Sequence, residues 1–396
     1  MSRMQVLIVG GGVAALEAAV ALHELGAERV DVELVAPGQD FVHRPFAVAE
    51  PFRSGEVRRF GLARLAAGAG ATLRHGRVAS IEPGRGHAVT AAGATLSFDA
   101  VLVAAGARPV AAVPGALTFR GPEDERAIAE LLEAADTGRV RRVVFALPAA
   151  ATWVLPLYEL ALLTAAHVHD AGEEVEIAIV TPEERPLELF GLQASEAVGE
   201  LLDVRGIRVV TGTAPIALAS GRLRTVSGAS IEADAVVATP RLEGARIDGL
   251  PYDADGFVRT DEHARVDELS AVYAAGDITA FLVKQGGIAA QQADAAAQSI
   301  ASLAGAGIEP APFRPVLRGV LLTGVFARYL YAEPGTQVSK LDTVALWWPP
   351  AKIAGRYLAP FLASQMGLDA APAPPDAAGS VLVDRALAQP RVPIHS

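Results

Sequence analysis

Near its start the chain passes from an apolar strand through three consecutive glycines into an Ala/Leu-rich helix. The strand is predicted over Gln5–Val9 and the helix over Val13–Leu25, with Gly10, Gly11 and Gly12 between them. Gly10 permits a tight turn, Gly12 lets the backbone approach a pyrophosphate, and the helix N-terminus supplies N–H donors and a positive dipole. In this strand–turn–helix setting the glycines predict a dinucleotide site rather than a plain connection.

Two positions of this motif depart from its usual form. Ala15 replaces the third glycine, which the motif tolerates because that position governs packing of the helix on the strand. An acidic residue that would hold the adenosine ribose is expected near Ala36, in the run VELVAPG, and it is absent. Glu33 lies inside the same strand and is expected to face another way. We therefore expect something other than a carboxylate to hold the ribose.

The rest of the chain alternates β-branched strands with Ala/Leu-rich helices, which is typical of parallel sheets with crossover helices. At 396 residues, of which 51% are apolar and 20% charged, the chain is long enough for two to three domains. Besides the first strand, we predict strands over 31–35, 100–104, 142–145, 176–180 and 235–237. Besides the first helix, we predict helices over 124–134, 157–169, 195–205 and 288–304.

Charge and cysteine content exclude several classes of function. The net charge of −11 argues against general nucleic-acid binding, which needs a basic face. The chain has no cysteine, so disulfides, thiolate metal sites, cysteine nucleophiles and redox-active dithiols are excluded. The N-terminus runs into a strand without a signal-peptide pattern, so we expect a cytoplasmic location. His167 and His169 fall on different helix faces, and we predict no metal site.

Four segments, taken in order, resemble a known family. GGGVAALEAA, FVHRPF, FDAVLVAAGARP and VYAAGD look like the FAD half of the pyridine nucleotide–disulfide reductase superfamily. Within it the chain is similar to the branch of sulfide:quinone oxidoreductases and type II NADH dehydrogenases. The resemblance covers roughly residues 4 to 304 and implies FAD as the cofactor.

The resemblance also implies a domain plan for an α/β protein with two Rossmann-like three-layer domains and a C-terminal cap. Residues 1–113 and 244–307 would form a discontinuous FAD-binding domain, and 114–243 a second nucleotide-binding-like domain. Residues 308–368 would form the cap. The stretch DAAPAPPDAA opens a low-complexity segment, so 369–396 are expected to be an extended tail.

Carried over residue by residue, the resemblance assigns most of the cofactor contacts. Asp277 would accept a hydrogen bond from the ribityl chain, Arg44 would lie near the flavin and its phosphates, and Val78 would meet the adenine through its backbone. A helix starting around Gly286 would aim its N-terminus at the pyrimidine edge of the flavin, with Lys284 as a helper. The remaining predicted contacts are Gly10, Gly12, Val13, Ala14, Ala15, Ala36, Ala104, Ala105, Gly106, Gly276, Gly287 and Ile288.

The second nucleotide unit departs from the family pattern. After its strand the sequence reads Leu147 to Trp153 without a glycine, so close approach of a pyrophosphate is hindered by each Cβ. Glu159, in the following helix, is interpreted either as a proton relay near the flavin or as a surface carboxylate. Because cysteine is absent, the cysteine-dependent oxidation of sulfide is excluded.

Two apolar stretches raise the question of membrane contact. Val143–Ala166 is apolar enough to suggest a transmembrane helix, but Pro148 and Pro156 favour a buried strand, loop and helix. In ALWWPPAKIAGRYLAPFL a short helix is predicted with Lys352 and Arg356 one turn apart. Aromatic and basic residues together suit peripheral contact with a membrane, or packing over the flavin or against a second copy, and these interpretations stay open.

The sequence thus leads to three functional hypotheses. The first is an FAD-dependent oxidoreductase that passes electrons from a small-molecule donor through the flavin to a quinone-like or other small acceptor. The second is an NAD(P)H:acceptor reductase, which the missing second glycine turn weakens. The third is a flavin-binding redox sensor or partner without turnover.

Overall fold

Two parallel sheets form the frame of the molecule. The computed structural model describes residues 3–148, 154–347 and 351–367. The first sheet has five strands, in the spatial order Val272–Ala274, Ala100–Val103, Met4–Val9, Val30–Ala36 and Ala71–His75. The second has five, in the order Leu117–Thr118, Ala235–Ala238, Arg142–Ala146, Glu176–Val180 and Ile207–Val210. All pairs within both sheets are parallel, which confirms the predicted α/β fold.

The five predicted helices are confirmed, each within three residues at either end. Two further helices, α2 and α7, were not predicted. In the described part of the chain the helices are α1 (Val13–Gly26), α2 (Leu62–Gly68), α3 (Glu125–Asp136), α4 (Leu155–Asp170), α5 (Leu192–Val204), α6 (Gly286–Leu303) and α7 (Leu358–Gln365). Short 3-10 helices span Arg44–Phe46, Glu50–Phe52, Pro83–Arg85, Pro122–Asp124 and Glu188–Phe190.

Short antiparallel elements surround the two parallel sheets. Three of them are three-stranded: Val78–Glu82 with His87–Thr90 and Thr95–Ser97, Pro215–Ala219 with Arg222–Thr225 and Ser230–Glu232, and Leu317–Leu321 with Arg328–Ala332 and Ser339–Asp342. Two are strand pairs: Asp40–His43 with Arg58–Gly61, and Ala107–Val110 with Arg241–Gly244.

Alanine brings α1 and α6 close together on one face of the first sheet. Ala15, Ala19, Ala293 and Ala297 are fully buried in the same apolar cluster. Because a methyl group is small, the two helix backbones pack closely and their N-termini lie beside the carboxyl ends of the strands. The opposite face of the sheet is covered by the antiparallel strands that begin at Val78.

The prediction of a short helix carrying Lys352 and Arg356 is wrong, because the helix begins later, at Leu358. The buried carboxylate of Glu17, on α1, accepts hydrogen bonds from the backbone N–H of Tyr357 at 2.9 Å and of Leu358 at 2.8 Å. A carboxylate from a distant helix therefore satisfies the first amides of α7 and fixes where it starts.

The apolar stretch Val143–Ala166 contains the predicted strand and helix. The strand ends at Ala146, and α4 begins at Leu155. Residues 149–153, where a second glycine turn would stand, lie outside the described residues, as do Trp348 and the predicted tail. In the described parts of the chain, no helix has the length and apolar character needed to span a bilayer.

Candidate functional site

Three strands of the first sheet end side by side. Val103 is paired with Val9 on one side and with Ala274 on the other, so the three residues lie level across the sheet. The segments that follow them therefore leave the sheet at one edge, where ligands bind in open parallel sheets. These segments are the Gly10 turn, the run from Ala104 to Gly106, and the run from Ala275 to Asp277.

The conformation of the first turn explains its glycines. Gly10 has φ +133°, a region that L-residues rarely adopt, and a Cβ on it would collide with the carbonyl oxygen of Ala104. A Cβ on Gly12 would instead meet nothing within 4 Å. Gly10 is thus required by packing between two strand ends, whereas Gly12 leaves its backbone open to the space above the sheet.

A cavity of about 570 Å³ opens above this edge, within the usual range of about 300–1,000 Å³ for ligand sites. Both parallel-sheet regions and the C-terminal segment contribute to its walls. The residues that line it are Gly11, Gly12, Val13, Ala14, Asp40, Phe41, Val42, Arg44, Pro45, Ala47, Val48, Ala104, Gly106, Ala107, Phe119, Arg120, Gly121, Leu155, Pro156, Glu159, Ala275, Gly276, Asp277, Gln285, Gly286, Ala289, Arg318, Gly319, Val320, Lys352 and Ile353.

The structure brings about half of the sequence-predicted site residues into this lining. They are Gly12, Val13, Ala14, Arg44, Ala104, Gly106, Glu159, Gly276 and Asp277. The others lie around or behind the walls: Gly10, Ala15, Ala36, Val78, Ala105, Lys284, Gly287 and Ile288.

The position predicted for ribose recognition carries no free carboxylate. Ala36 is buried at the end of its strand, and its carbonyl oxygen accepts the N–H of Gly76 at 3.0 Å. Glu33 is bonded to Arg74 at 2.6 Å on the neighbouring strand. Neither residue offers a side-chain acceptor toward the cavity.

Asp277 lies at the centre of the cavity wall. Burial raises the pKa of its carboxyl group, and the positive charges of Lys284 and Arg44 oppose that rise. Within the described residues Asp277 has no hydrogen-bond partner, whereas the preceding Gly276 N–H donates to Gln292 Oε1 at 2.8 Å. The carboxylate is therefore held by the turn but left without a donor, which a hydroxyl-bearing ligand would supply.

Lys284 lies behind the cavity wall rather than in it. Its Nζ donates to the carbonyl oxygen of Thr279 and lies 3.9 Å from the centre of the Phe257 ring. Burial lowers the pKa of Lys284 to about 8, and Asp277 opposes that fall. Its position shows a contact with the protein rather than with the space in the cavity.

Glu159 is buried in α4, at the cavity, with a lysine from the C-terminal segment beside it. Lys352 Nζ lies 2.6 Å from Glu159 Oε1 and also donates to the carbonyl oxygen of Pro45 at 3.0 Å. The N–H of Leu322 donates to the same carboxylate at 2.9 Å. Burial raises the pKa of Glu159, while Lys352 acts to lower it. Of the two interpretations of Glu159, the surface carboxylate is wrong.

A histidine near this pair is held neutral. Burial lowers the pKa of His43 to about 4, and the positive charges of Arg58 and Lys352 lower it further in the same direction. At neutral pH the ring is therefore uncharged, so Lys352 is the cation that faces Glu159.

The N-terminus of α6 points toward the cavity and is capped by its own preceding side chain. Gln285 Oε1 accepts the N–H of Gly287 at 2.6 Å, while Gln285 Nε2 is buried without an acceptor among the described residues. Gly286 lines the cavity, and a Cβ on it would press on Ile353. The helix therefore presents both a dipole and an unused amide donor to the cavity.

Sequence reasoning missed Gln285, Arg318 and the role of Lys352. Gln285 could have been found, because it directly precedes the predicted helix, where capping residues stand. Arg318 and Lys352 had no such signal, since they come from a short strand and an irregular segment distant in the chain from their neighbours. Among the described residues, no group of three or more His, Asp or Glu could hold a metal ion.

In the second sheet the position that binds ribose in dinucleotide domains is occupied internally. Glu183 follows the strand Glu176–Val180 and accepts hydrogen bonds from Tyr158 Oη at 2.6 Å and Thr181 Oγ1 at 2.8 Å. Burial raises the pKa of Glu183. Its carboxylate is turned toward α4 and is not presented to a ligand.

The residues of the first cavity fit a flavin dinucleotide. Gly12 leaves backbone open for a pyrophosphate, Asp277 lacks a donor that a ribityl hydroxyl would provide, and Gln285 lacks an acceptor that a flavin carbonyl would provide. These three groups would hold the cofactor along one wall.

Comparisons with known proteins agree with this geometry. The sequence profile of the family described as pyridine nucleotide-disulphide oxidoreductase matches residues 4–299. No curated protein matches the chain in sequence.

Solved structures share the fold at low sequence identity. The sulfide:quinone oxidoreductase of the hyperthermophilic bacterium Aquifex aeolicus superposes with a TM-score of 0.78 at 18% identity, over 86% of this chain and 87% of that one. The ferredoxin reductase for the CYP199A2 system of Rhodopseudomonas palustris gives 0.65 at 18% identity, over 84% and 83%. A NAD-dependent persulfide reductase from A. fulgidus gives 0.59 at 18% identity, over 84% and 64%.

Proposed function

The chain belongs to the pyridine nucleotide-disulphide oxidoreductase family, and from this premise we propose that it uses FAD to pass electrons from a small-molecule donor to a quinone-like acceptor. Bound FAD would supply the two-electron redox chemistry. Gly12, Asp277 and Gln285 would bind and orient it.

The observation that carries the proposal is the buried pair of Glu159 and Lys352 in the cavity wall. Reduction of a quinone to a quinol takes up two electrons and two protons, so the site needs a group that exchanges protons. Burial favours the protonated form of Glu159, and Lys352 favours the ionised form, so the carboxyl group can exist in either state. Glu159 is thus suited to hold and release a proton at the cavity.

Two features argue against a nicotinamide nucleotide as donor. The segment from Leu147 to Trp153 lacks glycine, and the carboxylate of Glu183 is bonded to Tyr158 and Thr181. A pyrophosphate would meet Cβ atoms, and a ribose would find no free carboxylate in that position. The absence of cysteine likewise argues against a dithiol as the electron carrier.

An anaerobic titration of purified, FAD-loaded protein tests the proposal, with the flavin absorbance as readout. We expect duroquinol to reduce the flavin and NADH and NADPH to leave it oxidised. Rapid bleaching by NADH or NADPH would overturn the preference for a quinone-linked reaction. A colourless protein that cannot be reconstituted with FAD would overturn the flavin assignment itself.

A pair of variants tests the role of Glu159. Glu159→Gln keeps the side-chain size but removes the exchangeable proton, so we expect quinol-dependent reduction to slow by about tenfold or more. Glu196→Gln, on the exposed surface of α5, is the matched control and should react like the wild type. Equal rates for the two variants would remove Glu159 from the proposed proton path.

A further inference from the structure

One cation in the cavity wall differs from the other three. Arg318 forms no ion pair within the described part of the chain. Each of the other cationic residues faces a carboxylate: Arg44 with Glu123 at 3.9 Å, Arg120 with Asp124 at 2.6 Å, and Lys352 with Glu159 at 2.6 Å.

The surroundings of Arg318 leave its guanidinium group short of acceptors. Arg318 lies on the strand Leu317–Leu321, and its Nε is buried with no hydrogen-bond partner among the described residues. Its one aromatic neighbour is Tyr331, whose ring centre lies 5.7 Å from the guanidinium carbon. A buried, unpaired guanidinium is unfavourable unless something else accepts its hydrogen bonds, and this group borders a ligand cavity.

Gln285 supplies a second unused donor in the lining of the same cavity. Gln285 is 7% exposed, and its Nε2 has no acceptor in the described parts. The strand that bears Arg318 is fastened to the first turns of α6, because Gln291 and Val316 exchange two hydrogen bonds of 2.9 Å each. Both unused donors therefore belong to elements joined at the N-terminal end of α6.

We propose that Arg318 and Gln285 form a donor pair for the pyrimidine edge of the flavin, with Arg318 supplying the positive charge that stabilises the reduced cofactor. The inference rests on the proposed function, since it assumes that FAD fills the cavity. The pyrimidine ring presents two carbonyl oxygens, which match two donors without acceptors. Its reduced form carries negative charge, which matches a cation without a counterion.

This assignment differs from the expectation for Lys284. That lysine is already bonded to Thr279 and lies outside the cavity lining, whereas Arg318 lies in it. The positive charge near the pyrimidine edge therefore comes from the C-terminal segment.

The test is the midpoint potential of the FAD-loaded protein, measured by equilibration with a reference dye. Arg318→Met should shift the equilibrium at least tenfold toward the oxidised flavin, a fall of about 30 mV for a two-electron couple. Arg318→Lys keeps the charge and should lose less. Arg314→Met removes an exposed arginine close by in the chain and should leave the potential unchanged. Arg318→Gln gives the same reading as Arg318→Met if the methionine variant does not fold.

A carboxylate probe separates this proposal from a substrate-binding role for Arg318. We expect benzoate to leave the flavin spectrum of the wild type unchanged. If benzoate perturbs the wild type but not Arg318→Met, and the two share one potential, Arg318 recognises an anionic substrate and the proposal is overturned. Yellow variants with an unchanged potential overturn this inference alone, whereas protein that binds no FAD overturns the proposed function.

Discussion

The buried pair of Glu159 and Lys352 makes a quantitative prediction about stability. Replacing Lys352 with methionine removes the ammonium group 2.6 Å from the carboxylate and leaves the N–H of Leu322 as the remaining donor. A buried carboxylate left in this state takes up a proton rather than stay charged. The free energy of that protonation sets the size of the effect.

The magnitude follows from the ordinary pKa of a glutamate, 4.5. Protonating such a group at pH 7 costs at most about 3 kcal/mol, from roughly 2.5 pH units at about 1.4 kcal/mol each. This lies near the low end of the roughly 3–5 kcal/mol seen when one partner of a buried pair is removed. We therefore expect Lys352→Met to lower the free energy of unfolding by up to about 3 kcal/mol at pH 7.

The sign of the pH dependence is fixed by the direction of the shift. Burial raises the folded-state pKa of Glu159, and loss of Lys352 raises it further. The stability contributed by the protonated group is fully present below pH 4.5 and is lost as the pH rises through the folded pKa. The variant should thus keep losing stability to a higher pH than the wild type does.

Urea unfolding of the FAD-loaded proteins between pH 5 and pH 8 measures this difference. The double variant Glu159→Gln/Lys352→Met removes both charges and should lack the added pH dependence of the single variant. If Lys352→Met and the double variant give parallel curves, Glu159 is not the group that titrates, and the reasoning from the buried pair fails.

Three other variants test separate parts of the site. Asp277→Ala should lower the flavin content of purified protein, because the ribityl donor loses its acceptor, and an unchanged absorbance ratio at 450 and 280 nm contradicts this. Gly10→Ala should prevent folding or flavin binding, since its Cβ meets the carbonyl oxygen of Ala104 at φ +133°, and normal thermal unfolding refutes it. Burial raises the pKa of Glu17 to about 7, so wild-type stability should fall by up to about 3 kcal/mol between pH 4.5 and 7, and Glu17→Gln should flatten that fall in urea unfolding.

The first dinucleotide unit was predictable because its signals are local. The strand ending at Val9, the glycine turn and α1 follow one another within a few residues, so their periodicity and backbone demands are read directly. The order in which VYAAGD pairs with that unit is not local, and it came from the resemblance to a family. The level register of Val9, Val103 and Ala274 gives the physical reason for that order.

The C-terminal segment was poorly predicted because its structure depends on distant partners. The helix α7 begins where Glu17, some 340 residues earlier, accepts two backbone N–H groups. The burial of Lys352 depends on Glu159 and on the carbonyl oxygen of Pro45. No hydrophobic period within the segment encodes these contacts, so basic residues near aromatic rings were taken for a surface pattern.

This dependence has a consequence for the chemistry of the site. The C-terminal segment contributes Arg318 and Lys352, which are two of the four cations in the cavity wall. The same segment supplies the amides that meet Glu17 and the N–H that meets Glu159. The parallel sheet therefore positions a dinucleotide, whereas the C-terminal segment determines the charge that the flavin would experience. Proteins that share this fold at 18% identity can accordingly keep the sheet and differ in electron donor and acceptor through this segment.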